Sequence, residues 1–198
     1  MKNKNITLKY LKYLYNIKRK SAQEIAKLIG CSPNRINYWL AQYKISKRTI
    51  SDAIYIKHNP GGDPFKFVLP DNIEDAKLFG LGLGLYWGEG NKANKNTVRL
   101  GNSDPALLNK FIEFLIKFFN IKKKDLKFHL HVFSDIDVNE ALDYWIDKLK
   151  ISKKQFYKPM ITISGSLGTY KNKSKFGVVT VYYGNIKLKN KLVELLPL

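Results

Sequence analysis

The carboxylate best placed to do chemistry in this 198-residue chain is Glu89, which closes a long segment with small residues at every fourth position, Ala76, Gly80, Gly84 and Gly88. A helix ending there points its negative dipole end at that carboxylate, so the acid needs a positive partner. One partner is a neighbouring lysine, Lys92 or Lys95. The other is a divalent cation, the natural neutraliser if two such helices meet through their small-residue faces and bring two Glu89 side chains together. His129 and His131 alternate along a predicted strand and form a second candidate pair. The chain has only three histidines, so a structural or phosphate-facing role is favoured over metal ligation. Cys31, the single cysteine, has no partner for a disulfide or a cysteine-based zinc site and is read as a half-buried turn residue.

The helix that must position Glu89 opens on the capping pattern Asp71 to Glu74 and runs to Gly90. The four-residue spacing lines Ala76, Gly80, Gly84 and Gly88 along one face. Each glycine costs close to ~1 kcal/mol relative to alanine inside a helix, and close approach of a second backbone is the usual reason for such a row. A two-fold interface is therefore expected on that face, with Phe79, Leu83 and Trp87 turned into the domain's own core. The segment FGLGLGLYWGEG, Phe79 to Gly90, resembles the LAGLIDADG helix of homing endonucleases: a small-residue face, a terminal acid and a closing glycine. It departs from that family in having Trp87-Gly88 where Asp-Ala is usual, and Glu where Asp is commoner. The resemblance covers residues 71 to 198 and implies double-stranded DNA as substrate, a divalent metal (Mg2+) at Glu89 that activates water for phosphodiester cleavage, and a homodimer, because the motif occurs once and the active site needs two acids. Lys187, near the final strand, is expected to polarise the scissile phosphate.

The field of the chain points the same way. Residues 1 to 50 hold twelve Lys/Arg against the single acid Glu24, a net of +11, and the whole chain carries +19. Such an excess repels itself in a compact fold and indicates a polyanionic partner. Within that quarter, Ser21 to Glu24 forms a capping box, Ile25 to Ile29 follows with helical spacing up to Gly30, and Ser32-Pro33 opens a second helix with Ile36, Trp39 and Leu40 on its apolar side. A preceding amphipathic segment with Leu8, Leu11 and Leu14 supplies a third helix. The run SAQEIAKLIGCSPNRINYWLAQYKI resembles a helix-turn-helix of the resolvase or transposase-associated kind. The resemblance makes Pro33 to Gln42 the recognition helix, with Ser32, Asn34, Arg35, Asn37 and Tyr38 facing base edges and phosphates. Lys44, Lys47 and Arg48 are then expected to grip the backbone. The competing reading is a three-helix module for protein contacts with solvated charges.

The turn formers from His58 to Pro64 cannot continue a helix, so residues 51 to 70 are read as a linker, with Phe65 to Leu69 extended. Beyond the glycine-striped helix, a strand is predicted over Thr97 to Gly101 and a helix opened by Asp104-Pro105, with Leu108, Phe111, Ile112, Leu115, Phe118 and Phe119 inward. Lys127 to Phe133 alternates as a strand, a helix spans Val138 to Leu149, and strands near 158 to 164 and 178 to 183 flank a loop before a last helix after Asn185. Outward positions Arg99, Lys127, His129 and His131, with Lys171, Lys173 and Lys175 of that loop read as a hairpin, are candidate DNA contacts. The expected fold class is α+β: a small all-α helix-turn-helix domain at 1 to 50, then a LAGLIDADG-like α/β domain at 71 to 198 with an antiparallel sheet covered by helices on one face.

The uncharged run Leu78 to Gly88 is far shorter than the roughly 20 residues a membrane span needs, and no secretory pattern is visible at Met1 to Lys4. The cytoplasm is the expected compartment. These features leave two main readings, a site-specific DNA endonuclease and a non-cleaving DNA-binding regulator on the same fold. An RNA-binding or tRNA-modifying protein is a third, without a module signature.

Overall fold

Ser21 and Glu24 close a reciprocal cap: the serine hydroxyl accepts from the Glu24 amide and the Glu24 carboxylate accepts from the Ser21 amide at 2.8 Å. That cap starts α2 (Ala22–Ile29) in a computed structural model that describes residues 6–164 and 174–197. The cap also holds the Glu24 carboxyl below its ordinary pKa, chiefly through the Ser21 backbone hydrogen bond. Gly30 ends α2 in the left-handed region, φ 75°, the conformation glycine adopts without penalty. Ser32 then caps α3 (Pro33–Gln42), with proline in its first turn. The helix before them, α1 (Leu8–Lys12), continues as a π-helical stretch Tyr13–Ile17. Leu11, Leu14, Tyr15, Ile25, Ala26, Ile36, Leu40 and Ile45 are buried together as one core.

The chain divides into two compact units between Pro64 and Phe65. Where the sequence suggests a linker from 51 to 70, the first unit instead has α4 (Ile50–His58), capped by Thr49 and with no buried residue. Phe65 to Leu69 belongs to the second unit, where the Lys66 and Val68 amides donate to the carbonyls of Phe119 and Phe118. The turn-rich stretch 58 to 64 is thus the division, and the residues on either side are structured because their backbone groups find partners, within the helix itself for α4 and at the carbonyls of Phe118 and Phe119 for Lys66 and Val68.

The second unit is mixed α and β. It begins with α5 (Ile73–Glu89), whose cap is Asn72 rather than Asp71. Then follow β1 (Val98–Asn102), α6 (Pro105–Phe119), β2 (Lys127–Phe133), α7 (Val138–Leu149), β3 (Met160–Thr162), β4 (Val178–Tyr183) and α8 (Ile186–Glu194). The four strands form one sheet in the order β1-β4-β2-β3. The expected sheet was wholly antiparallel, and the observed one is mixed. β4 pairs antiparallel with β1 and β2, whereas β3 lies parallel to β2, with Val132 opposite Ile161. β3 and β4 therefore do not form a hairpin; they flank β2 on opposite sides. Alternation predicts that a segment is a strand but says nothing about its neighbour, and a parallel partner requires the long crossover that α7 supplies.

Inward residues Val98, Leu100, Phe128, Leu130, Val132, Val179 and Val181 bury against Leu108, Phe111, Ile112, Leu115, Phe118 and Phe119 of α6 and against Trp145 and Leu149 of α7. Helix α5 joins this core through Gly82 and Tyr86, both buried. Trp87, expected in the core, is 48% exposed and lies on the same side as the glycine row.

Candidate nucleic-acid interface

Burial of Ile36 and Leu40 orients α3. With 3.6 residues per turn, Asn34, Tyr38, Ala41 and Gln42 then fall on the outer side, and all four are exposed. Arg35 and Asn37 flank them, half-buried. Tyr38 stands 55% exposed, edge-on to Trp39 at 5.3 Å, and Trp39 stacks on Tyr43 at 5.5 Å. Ser32 uses its hydroxyl to accept from the Arg35 amide, so its first task is the cap. Gln42, not singled out from the sequence, shares the outer face, and its amide is a natural adenine reader. The only sequence cue to it is the helical angle set by Ile36 and Leu40.

Lys44 and Lys47 are exposed beyond α3. Arg48 is used differently. Its guanidinium lies over the Tyr15 ring at 4.1 Å and donates to the carbonyls of Tyr15, Arg19 and Lys20, while its amide donates to the Tyr15 hydroxyl. It clamps the end of the π-helical stretch, where carbonyls otherwise lack partners. The expectation that Arg48 grips phosphates overlooks this engagement, which depends on contacts some thirty residues apart that no local pattern announces.

On the second unit the register brings outward residues into rows: Arg99, Tyr182 and Lys127 in one, Gly101, Thr180 and His129 in the next, Val178, His131 and Met160 in the third. Arg99 lies 5.0 Å over the Tyr182 ring, and His129 and Tyr157 meet that ring edge-on at 6.4 and 5.8 Å. His131 Nε2 is 2.7 Å from the Thr162 hydroxyl. The structure thus gathers Arg99, Lys127, His129 and His131 on one solvent face, with Tyr182 and Tyr157, which sequence reasoning did not place at its centre. Lys175 is exposed beside Phe176 just before β4, its ammonium 5.0 Å from the ring. Lys171 and Lys173 lie outside the described residues.

At the end of α5, Glu89 is exposed and makes no hydrogen bond or ion pair among the described residues. Lys92, one of the two lysines expected to neutralise it, instead donates its ammonium to the Trp87 carbonyl and so caps the helix. Lys189 of α8 is 7% exposed and donates to the Lys92 carbonyl at 2.9 Å. This two-lysine brace fixes the chain on which Glu89 sits. Lys189 is invisible as a site residue in the sequence because it lies in a lysine-rich run that reads as solvated surface. Lys187 falls in the first turn of α8, half-buried, and is not paired with Glu89. A Mg2+ ion is commonly held by one or two carboxylates with phosphate oxygens and waters completing the shell. An exposed, unpaired Glu89 fits one such ligand. Among the described residues no three His, Cys, Asp or Glu side chains gather into a metal-holding group, His129 and His131 included.

Ala76, Gly80, Gly84 and Gly88 are all exposed, and a Cβ added at any of the three glycines meets no other atom within 4 Å. With Leu81 at 46%, Ile73 at 74% and Trp87 they form an open apolar face. No helix among the described residues is long and apolar enough to cross a membrane. Comparisons with protein-family models, curated proteins and solved structures return no match.

Proposed function

We propose that this chain is a sequence-specific double-stranded DNA-binding protein that cleaves its target as a homodimer with Mg2+. The observation that carries the reading is Glu89: an exposed, unpaired carboxylate at a helix end that disfavours negative charge, on a helix with an open glycine face, in a chain of net charge +19. In this reading α3 docks in the major groove, with Asn34, Arg35, Asn37, Tyr38 and Gln42 toward base edges. Lys44 and Lys47 contact phosphates. Two copies meet through Ala76, Gly80, Gly84 and Gly88, and Trp87 gains cover there. Glu89 from each copy would hold the metal, which when bound would supply a water of lowered pKa and stabilise charge on the phosphate. Lys92 and Lys189 keep the α5 terminus in place, and Lys187 is the candidate cation toward the phosphate. The mixed α and β content of the second unit and its acid-tipped glycine helix agree with the LAGLIDADG-like reading of residues 71 to 198, whereas the parallel seat of β3 departs from the antiparallel sheet that reading expects.

The test is incubation with a random plasmid library and Mg2+, followed by sequencing of any ends. Discrete cuts at one sequence are expected. Protected footprints without cuts would favour a regulator that keeps the fold for binding, and neither cuts nor footprints would remove both readings.

A further inference from the structure

The solvent face of the sheet has properties that duplex recognition does not require. None of the outward positions of the four strands is acidic, while Arg99, Lys127, His129 and His131 all face outward. Yet the polar side chains lie along the sheet instead of projecting from it. Arg99 Nε donates to the Thr97 hydroxyl at 2.6 Å with the guanidinium over Tyr182, Lys127 reaches sideways to the Lys154 carbonyl at 3.4 Å, and His131 is held to Thr162. Reading base edges in a groove needs side chains that reach into it. What this face presents is planar: Tyr182 with His129 and Tyr157 around it, and His131 with Phe133 at 5.8 Å in the neighbouring rows. Tyr157 is 50% exposed, and Met160 of the edge strand adds apolar surface next to His131 at 47% exposure. Along β2 the histidines of the two clusters are separated by two residues, roughly 6.8 Å of strand, close to the stride of an extended nucleotide.

Flat rings flanked by cations, on strands that present no acid, match the chemistry of unpaired nucleobases and their phosphates. Bases stack on aromatic faces whatever their identity, and the cations follow the backbone. A paired base offers its face only to its neighbours in the stack, so a duplex cannot use these rings unless it opens. We propose that the sheet face is a binding platform for an unpaired stretch of DNA strand, with Tyr182 and Tyr157 as its stacking residues and Arg99 and Lys127 as its phosphate contacts. This rests on the reading of the chain as a DNA-binding protein but not on cleavage. It gives the two units different tasks, duplex recognition for α3 and capture of an opened strand for the sheet.

The test is fluorescence anisotropy of the full chain with labelled dT12, rU12 and a random duplex at 0.15 M salt, a condition near physiological ionic strength. The wild type is expected to bind dT12. Tyr182→Leu is expected to weaken dT12 by about 5- to 150-fold, the range for loss of one stacked base, and to leave the duplex within about twofold, with Tyr182→Phe retaining wild-type affinity. Tyr157→Ala, a change at an exposed ring that leaves the fold intact, is expected to act in the same direction. Equal loss on dT12 and duplex, or no loss on dT12 from either variant, overturns the platform. Duplex binding by the wild type without dT12 binding overturns the platform but leaves the DNA reading standing, whereas binding to neither removes both. Tighter binding to rU12 than to dT12 overturns the assignment to DNA.

Discussion

The ring of Phe114 lies so close to Gly82 that a Cβ at position 82 would sit 2.1 Å from the ring's Cγ. This is the close approach that the glycines of α5 serve inside the unit, and it lies on the opposite side of the helix from Gly80, Gly84 and Gly88. Gly82→Ala must displace a fully buried ring, at a cost of about 1 to 3 kcal/mol or more for overpacking. Gly80→Ala and Gly84→Ala meet open space and are expected to stabilise the isolated chain by up to ~1 kcal/mol each. Thermal melts of the three variants check the contrast.

The same open face carries the dimer proposal. Gly84→Leu leaves the core untouched, yet its bulk prevents two α5 helices from meeting backbone to backbone. Light scattering at micromolar concentration is expected to show a dimer for the wild type and a monomer for Gly84→Leu. A wild type already monomeric there removes the two-fold interface in solution.

Tyr86 stacks on Phe111, and its hydroxyl is buried with no hydrogen-bond partner among the described residues. An unsatisfied buried polar group costs about 1 to 3 kcal/mol, so Tyr86→Phe should melt higher than the wild type, or at least no lower. Burial pushes the Tyr86 pKa up to about 12 from 10.0. The unfolded chain therefore releases this proton first. The wild type should lose stability as pH rises from about 10 toward 12, and Tyr86→Phe should lose less over that window. Denaturant midpoints at pH 9 and pH 11 for both proteins measure the difference.

Arg48 and Lys47 are adjacent basic residues with opposite expected phenotypes. Removing Arg48 strips three backbone carbonyls of a charged donor and uncovers the Tyr15 ring, so Arg48→Ala should lower the melting temperature of the first unit by several degrees. Lys47 is exposed, and Lys47→Ala should leave stability unchanged while reducing the slope of log affinity against log salt by about one. An unchanged melt for Arg48→Ala would return that residue to the surface.

The elements were legible where local chemistry determines them. Asp104-Pro105 and the spacing of Leu108, Phe111 and Leu115 mark α6, the alternation of Lys127 to Phe133 marks β2, and the Ser21 box and Gly30 bracket α2, all as observed. What depends on distant partners was not legible. The parallel seat of β3 beside β2, the clamp of Arg48 on Tyr15, and the brace of Lys189 on Lys92 are made between residues from about 28 to 97 positions apart. Trp87 misled for a related reason: its size suggests core, but its helical angle puts it with Gly80 and Gly84. Of the candidate site, Glu89 and its helix were readable from spacing, whereas the aromatic centre of the sheet face emerged only when the register brought Tyr157 and Tyr182 together.

Glu89→Gln separates a metal ligand from a structural carboxylate, because it keeps the shape of the side chain and removes only its charge. Glu89 has no partner among the described residues, and Lys92 is engaged with the Trp87 carbonyl, so no ion pair is lost with the charge. The helix end itself disfavours a carboxylate, and a second copy brought alongside would add repulsion between like charges. The variant should therefore melt no lower than the wild type, bind target duplex in EDTA as tightly or more tightly, and show no cleavage with Mg2+. A structural role predicts the reverse, a lower melt and weakened binding together. Cleavage by Glu89→Gln at the wild-type rate would place the active site elsewhere. Tight binding of one sequence by both proteins, with no cutting in Mg2+ or Mn2+, would make Glu89 a remnant on a fold kept for regulation.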